Sequence, residues 1–212
     1  MGQTKRSGGT FGLTDPPIIT MRLGIFGGSF NPIHNGHLLL AETARDLLSL
    51  DRVVFVPTHT PPHKTSSQLL PGAVRFELVQ LAVRDNPAFV ASDIEILRKG
   101  TSYSIDTVRS LHAQLPQAKL FLILGEDMLS VKWFAWEEIK QLCTVVAARR
   151  PQAKAAKNQK GIKWLEMPQI DISATDIRKR AAGGRSIRYL VPSIVEREIR
   201  QRGLYQKQAA PA

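Results

Sequence analysis

The chain has 212 residues, of which 43% are hydrophobic and 22% are charged, and this is an ordinary globular composition. Its length supports a single core without disulfide bonds, and the one cysteine cannot form an intrachain disulfide. These values exclude a disordered chain, a fibre and a disulfide-rich secreted fold. The longest apolar run, Leu120–Leu124, is far shorter than the roughly 20 residues of a membrane span, so we expect a soluble protein.

The net charge of +11 is concentrated in the C-terminal third. Residues 1–148 contain 14 Lys and Arg against 13 Asp and Glu, whereas residues 149–212 contain 15 against 5. Such a basic third is typical of a protein that binds nucleic acid, an acidic membrane surface or a polyanionic small substrate. A solvated basic face that keeps the protein soluble explains the charge equally well.

The first segment, residues 1–20, has no apolar stretch of the signal-peptide type, so we expect a flexible leader, with Met21 as an alternative translation start. Runs rich in β-branched and aromatic residues then predict strands at Arg22–Phe26, Val53–Pro57, Phe89–Ile96, Leu120–Leu124, Thr144–Ala148 and, more weakly, Ile162–Met167. Amphipathic stretches predict helices at Gly36–Leu48, Ala73–Arg84, Ser104–Leu115, Trp133–Leu142, Thr175–Ala182 and Ser193–Arg202.

Strands that alternate with helices in this way are typical of a parallel sheet, and runs that are apolar on both faces indicate helices on both sides. The sequence therefore predicts an open doubly wound α/β sheet with a helical C-terminal appendage. We expect one domain over residues 21–205 and a disordered tail over residues 206–212. Ligands of such sheets bind at the carboxyl ends of the strands, where the strand order reverses.

The loop after the first strand has the composition of a phosphate site. It reads Gly27-Gly28-Ser29-Phe30-Asn31-Pro32-Ile33-His34-Asn35-Gly36-His37. The paired glycines allow a ligand close to the backbone, and the next helix begins with free amides that suit phosphate. His34 and His37 are three residues apart and share one helix face, where two imidazoles suit phosphate oxygens or a metal. Metal is the weaker interpretation, because no third ligand follows at a suggestive spacing, with His59 and His63 as remote candidates.

Three further segments at strand ends carry candidate residues. Prolines stiffen the loop that holds Lys64, which is either a phosphate ligand or a surface lysine. Ser102, Ser104 or Asp106 is placed to cap the helix that follows the third strand. Gly125, followed by Asp127, ends the fourth strand, and a carboxylate there can accept hydrogen bonds from ribose hydroxyls.

The remaining candidates are an aromatic pair, a basic helix start and the cysteine. A tryptophan such as Trp133 at a helix start is usually a core or rim residue, and we expect Trp136 in the core. Ser173 or Thr175 can cap a helix whose first turn carries Arg178, which is either a phosphate ligand or a surface residue. We expect Cys143 to be a buried, inert thiol rather than a nucleophile.

The loop with its two histidines resembles the His-x-Gly-His signature of the nucleotidyltransferase superfamily. With its glycines, Phe30 and Pro32, it is similar to the nicotinate-nucleotide adenylyltransferases of bacterial NAD synthesis, and the similarity runs from about Met21 to Tyr205. The resemblance implies adenylyl transfer from ATP to nicotinate mononucleotide, which gives nicotinate adenine dinucleotide and pyrophosphate. It also implies Mg²⁺ that is bound through the ATP phosphates, with no metal site on the protein.

The resemblance assigns residues to three groups. The implied catalytic residues are His34, His37 and Arg178. The implied ATP-binding residues are these three together with Gly27, Gly28, Ser29, Phe30, Gly125, Asp127, Ile172, Ser173 and Thr175. The implied nicotinate mononucleotide-binding residues are Lys64, Ser102, Tyr103, Ser104 and Trp133, whose ring would stack on the pyridine. The chain departs from the family pattern in having Ser104 where Thr is usual and Ala174 where a second serine is usual.

Other functions stay open at this point. Nicotinamide mononucleotide and phosphopantetheine are alternative acceptors, and Ser102, Tyr103 and Trp133 disfavour the second. A nucleic-acid-binding module that uses the basic third is a remote alternative, because the aromatics there are too sparse for a stacking platform. Those aromatics are Trp164, Tyr189 and Tyr205. We expect small-molecule substrates, no nucleic-acid or membrane partner and a cytoplasmic location, and a homo-oligomer stays open.

Overall fold

The computed structural model describes residues 20–62, 69–149, 160–168 and 170–206. In this part of the chain, six parallel strands form one sheet in the order β3-β2-β1-β4-β5-β6. The strands are β1 (Arg22–Gly28), β2 (Arg52–Pro57), β3 (Phe89–Ala91), β4 (Lys119–Gly125), β5 (Thr144–Arg149) and β6 (Ile162–Glu166). The expected doubly wound α/β sheet is confirmed. The leader and the tail lie outside the described residues except for Thr20 and Gln206, and the domain bounds 21–205 stay a prediction.

The helices of the described residues follow the predicted order closely. They are α1 (Asn35–Leu47), α2 (Gly72–Val83), α3 (Ile94–Arg98), α4 (Ser104–Gln114), α5 (Trp136–Leu142), α6 (Ala174–Ala182) and α7 (Ser193–Gln201), with a 3₁₀ turn at Glu126–Ser130. The predicted C-terminal appendage corresponds to α6 and α7. None of the helices in the described ranges is long and apolar enough to cross a membrane.

Helices cover both faces of the sheet, and each face has its own core. The first core contains buried residues of α1, α2, α6 and α7, and the second contains those of α4 and α5. In β1, Leu23 and Ile25 point into the second core, whereas Phe26 points into the first. This alternation explains why the central strands are apolar on both faces.

Most predicted bounds are within two residues of those in the structure, and two elements differ by more. The strand predicted at Phe89–Ile96 ends at Ala91, and the helix α3 begins at Ile94. The turn between them holds the Ser92 hydroxyl, which accepts a hydrogen bond from the Ile94 amide at 3.4 Å, so local side-chain bonding outweighs the apolar pattern. The helix predicted from Trp133 begins at Trp136, because Ala135 adopts a left-handed conformation with φ +54°.

The strand order reverses between β1 and β4, and this defines the crevice of the sheet. Ile25 lies opposite Leu122 in the register of the two strands, so the strand-end glycines Gly28 and Gly125 come at the same level. The loops after β1 and β4 therefore lie side by side at the carboxyl edge. The expected ligand position for a sheet of this kind is between them.

Candidate active site

A cavity of about 640 Å³ opens at this crevice, a volume within the usual range for small-molecule sites. Its walls come from the ends of β1 and β4, the first turns of α1 and α4, and the start of α6. All the site residues predicted within the described ranges line this cavity: Gly27, Gly28, Ser29, Phe30, His34, His37, Ser102, Tyr103, Ser104, Gly125, Asp127, Trp133, Ile172, Ser173, Thr175 and Arg178. Lys64, the one other predicted site residue, lies outside the described residues.

The two histidines form a stacked pair at the start of α1. Their ring centroids are 3.6 Å apart and the ring planes are inclined by 21°. Nδ1 of His37 accepts a hydrogen bond from the backbone amide of His34 at 3.1 Å, so that nitrogen carries no proton. The neutral His37 ring then carries its N–H at Nε2, as a hydrogen-bond donor. The edge of the same ring packs against Phe30, with centroids 5.0 Å apart, which fixes its orientation.

His34 is buried and uncharged at neutral pH. Its side chain is 7% exposed, and desolvation lowers its pKa from 6.5 to about 4. Among the described residues, Nδ1 of His34 has no hydrogen-bond partner. A Cβ added at Gly36 would lie 3.2 Å from this nitrogen, so only glycine leaves the ring its full space. His34 therefore brings an uncharged ring to the cavity wall.

Asn31, in the loop after β1, joins three parts of the chain beside the cavity. Its backbone carbonyl accepts a hydrogen bond from Nη1 of Arg178 at 2.8 Å. Its side-chain Oδ1 accepts from the amide of Leu70 at 3.2 Å and from the Tyr205 hydroxyl at 3.0 Å. The sequence analysis missed Asn31, since nothing in the local pattern indicates contacts with residues so distant in the chain.

The start of α6 confirms the predicted cap. The Ser173 hydroxyl accepts a hydrogen bond from the Thr175 amide at 3.2 Å. Nη2 of Arg178 donates to the Thr175 hydroxyl at 3.1 Å, and Nε of Arg178 is buried with no partner in the described part of the chain. The guanidinium of Arg178 thus links α6 to the first loop and places a positive charge on the cavity wall.

The end of β4 holds a carboxylate against a glycine. A Cβ at Gly125 would lie 2.6 Å from Oδ1 of Asp127, closer than any real contact allows. The Ser130 hydroxyl donates to the backbone carbonyl of Asp127 at 2.7 Å and stabilises the turn. Glycine at this position is therefore what allows the Asp127 carboxylate to lie beside the strand end.

An aromatic wall lies on the other side of the cavity. Nε1 of Trp133 donates to the carbonyl of Met128 at 2.7 Å, and the Trp133 ring leans on Trp136, which packs against the second core. Tyr103 and Phe134 form a second pair with centroids 5.1 Å apart. Phe134 is 62% exposed and was missed in the sequence, although an aromatic residue directly after Trp133 is a usable signal.

The Ser102 segment does not cap its helix as predicted. The N-cap position of α4 is Tyr103, with no side-chain cap, so the proposed capping by Ser102, Ser104 or Asp106 is wrong. The Ser102 hydroxyl instead accepts a hydrogen bond from the backbone amide of His59 at 2.9 Å, because the two loops lie against each other. This bond ties the loop after β2 to the start of α4.

Glu95 was also missed, and it lies buried on the cavity wall. Its Oε1 accepts a hydrogen bond from the Thr107 hydroxyl at 2.6 Å, and desolvation raises the pKa of its carboxyl group. Cys143 is buried as expected, and desolvation raises its pKa to about 12. The described residues hold no group of three or more His, Cys, Asp or Glu that could bind a metal, and His63 lies outside them.

Comparisons with known proteins show the family of the chain. The family model described as cytidylyltransferase-like matches residues 25–180. A probable nicotinate-nucleotide adenylyltransferase from Citrifermentans bemidjiense is 45% identical, over 87% of this chain and 98% of the relative. A protein of the same name from Thermus thermophilus is 43% identical, over 88% of this chain and its own full length.

A solved structure shares the fold. It is a nicotinic acid mononucleotide adenylyltransferase from Plasmodium falciparum, complexed with NaAD, and it superimposes with a TM-score of 0.73 at 16% identity. The match covers 87% of this chain and 97% of the other.

Proposed function

The chain belongs to the nicotinate-nucleotide adenylyltransferase family, and from that membership we propose that it transfers the adenylyl group of ATP to nicotinate mononucleotide. The phosphate oxygen of the mononucleotide attacks the α-phosphorus of ATP, the bond to the β-phosphate breaks, and pyrophosphate leaves. The product is nicotinate adenine dinucleotide, an intermediate of NAD biosynthesis. The observation that carries this proposal is the meeting of the first loop, the end of β4 and the start of α6 at one cavity.

The reaction needs positioning and charge stabilisation more than acid–base chemistry. The phosphate of the mononucleotide is already an anion at neutral pH, so no general base has to activate it. An in-line attack then depends on holding the two phosphates together and stabilising the charge on the leaving pyrophosphate. A buried, neutral His34 suits this role, because a neutral imidazole can donate a hydrogen bond to a phosphate oxygen and stays uncharged at neutral pH.

We assign the phosphates of ATP to the histidine pair and Arg178. Since Nδ1 of His37 accepts from the backbone, Nε2 is the donor nitrogen of its neutral ring, and the uncharged ring of His34 lies beside it on the cavity wall. Arg178 supplies the positive charge on the cavity wall, where a guanidinium can pair with phosphate oxygens. The remaining ATP contacts are assigned to the backbone of Gly27, Gly28, Ser29, Phe30, Ile172, Ser173 and Thr175 and, for the ribose, to Gly125 and Asp127.

We assign the mononucleotide to the aromatic side of the cavity. The face of Trp133 offers a stacking surface for the pyridinium ring, and an aromatic face attracts that positive charge. Ser102, Tyr103 and Ser104 lie in the same wall and supply polar groups near the ring. Lys64 completes the proposed set from the sequence pattern alone. Nicotinamide mononucleotide stays the alternative acceptor, since it differs only in carrying an amide in place of the carboxylate on the pyridine ring.

Magnesium enters this account as part of the substrate. The described residues offer no cluster of three potential metal ligands, and this fits an ion that arrives on the triphosphate. We propose the cytoplasm, where ATP is supplied, as the site of the reaction.

The experiment that tests the proposal follows label from [α-³²P]ATP in the presence of nicotinate mononucleotide. We expect the label in the dinucleotide with wild-type protein, and a kcat lowered by about 10²-fold or more in His34→Ala. A folded His34→Ala variant that keeps more than half of the wild-type kcat would contradict the assigned role. Label that stays in ATP with wild-type protein would contradict the function itself.

A further inference from the structure

Arg75 in α2 is an arginine with no contact to solvent. Its exposed fraction is 0%, and it is the largest by volume of the fully buried side chains in the described residues. Arginine keeps its charge in proteins, so burial of this group is costly unless all its donors are used. In the described part of the chain, no carboxylate forms an ion pair with Arg75.

Within the described residues, the guanidinium donates to backbone carbonyls, and these belong to three separate segments. Nη1 donates to Ser29 at 2.6 Å, and Nη2 donates to Thr58 at 2.6 Å and to His59 at 3.1 Å. Nε donates to Leu70 at 2.8 Å. The three nitrogens of one planar group thus join the loop after β1, the loop after β2 and the residues before α2.

Two of these segments form part of the cavity wall. Ser29 and Thr58 both line the cavity, although Arg75 itself does not. The β1–β2 ladder ends at the pair Gly28 and Pro57, with a backbone hydrogen bond from Thr58 to Gly28 at 2.9 Å. Beyond that point, the Arg75 fork bridges the first loop and the loop after β2. A lysine has its donors on one nitrogen at the end of a flexible stem, so it cannot bond to carbonyls on all three segments at these positions.

We propose that Arg75 is a positioning residue of the adenylyl transfer, which holds the loops at Ser29 and Thr58 in the geometry that receives the triphosphate. This inference rests on the proposed function. A misplacement of about 1 Å in such loops costs roughly 10²-fold in rate, even when it begins far from the reacting atoms.

The matched pair Arg75→Lys and Arg22→Lys tests the proposal. Arg22 also donates twice to a backbone carbonyl, that of Leu48, at 3.0 and 2.9 Å, but it begins β1 at the opposite edge of the sheet. Both variants keep the charge and lose the fork. At a temperature where urea titrations show both proteins fully folded, we expect kcat to fall by about 10-fold or more in Arg75→Lys. In Arg22→Lys we expect kcat within twofold of wild type.

Equal kcat values in wild type and folded Arg75→Lys would overturn the proposal. If Arg75→Lys does not fold, the wild-type protein supplies the test through the side-chain NMR signals of its arginines. Addition of MgATP, in the absence of the acceptor, then shifts the Nε signal of Arg75 and leaves that of Arg22 in place. An unmoved Arg75 signal at saturating MgATP would overturn the proposal. Wild-type protein that binds MgATP but does not react with nicotinate mononucleotide would instead contradict the proposed function.

Discussion

Replacing His34 by asparagine removes a titrating group that the fold keeps uncharged. The side chain is 7% exposed and its pKa is lowered from 6.5 to about 4 by desolvation. Between these two values the unfolded chain binds a proton that the folded chain does not, so wild-type stability falls as the pH falls. From the two pKa values, the loss is about 2 kcal/mol at pH 5 and about 3 kcal/mol at pH 4.

Urea unfolding of wild type and His34→Asn at pH 8 and pH 5 measures this difference. At pH 8 residue 34 is uncharged in the folded and unfolded states of both proteins. The difference in unfolding free energy between wild type and His34→Asn at that pH therefore contains no contribution from the titration of His34. Every other titrating group is common to both proteins, and groups without contact to residue 34 cancel in the comparison; His37, which stacks on residue 34, is followed separately by NMR in both proteins. We expect the wild-type protein to lose about 2 kcal/mol more than the variant between pH 8 and pH 5. Parallel pH dependences, within about 0.5 kcal/mol, would refute the conclusion that His34 is held neutral by burial.

Three other predictions follow from single side chains. Gly125→Ala places a Cβ 2.6 Å from Oδ1 of Asp127 and displaces that carboxylate, so we expect a folded protein whose KM for ATP rises about 10-fold. An unchanged KM would contradict the prediction that the position of this carboxylate beside Gly125 matters for ATP. Trp133→Leu removes the proposed stacking surface, so we expect the KM for nicotinate mononucleotide to rise by about 10-fold and the KM for ATP to stay within twofold of wild type. Equal rises in the two KM values would contradict the assignment of Trp133 to the mononucleotide. Cys143 is buried with its pKa raised to about 12, so iodoacetamide at pH 8 should leave the native protein unmodified and label it in urea; rapid labelling of native protein would contradict the burial.

The parts of the site that depend on short-range pattern were predictable from the sequence. The His34–His37 spacing places both rings on one face of a helix start, and the structure stacks them. Strand ends are set by local apolar runs and glycines, so the end of β4 at Gly125 was predicted to within one residue, whereas β1 continues through Gly27 and Gly28, which were predicted in the loop. Since parallel strands bring their carboxyl ends to one edge, convergence of these turns follows from the fold class alone.

The parts that depend on long-range contacts were not predictable. Arg75 lies in an ordinary helical pattern, and only the folded chain shows that its partners are carbonyls 16, 17 and 46 residues away. In the sequence, Tyr205 was only one of the few aromatic residues of the basic C-terminal third, yet in the structure its hydroxyl donates to Asn31, 174 residues away. The segment Phe89–Ile96 predicted a single strand, and the Ser92 turn that divides it into β3 and α3 carries a side-chain hydrogen bond that the pattern does not show.

The most direct test of the whole account is steady-state pyrophosphate release from MgATP with three acceptors in parallel. These are nicotinate mononucleotide, nicotinamide mononucleotide and phosphopantetheine, each added to the same wild-type preparation. The account predicts a kcat/KM for nicotinate mononucleotide at least 10-fold above that for either of the others. Equal or faster turnover with nicotinamide mononucleotide or phosphopantetheine, or no release with any acceptor from folded protein, would contradict it.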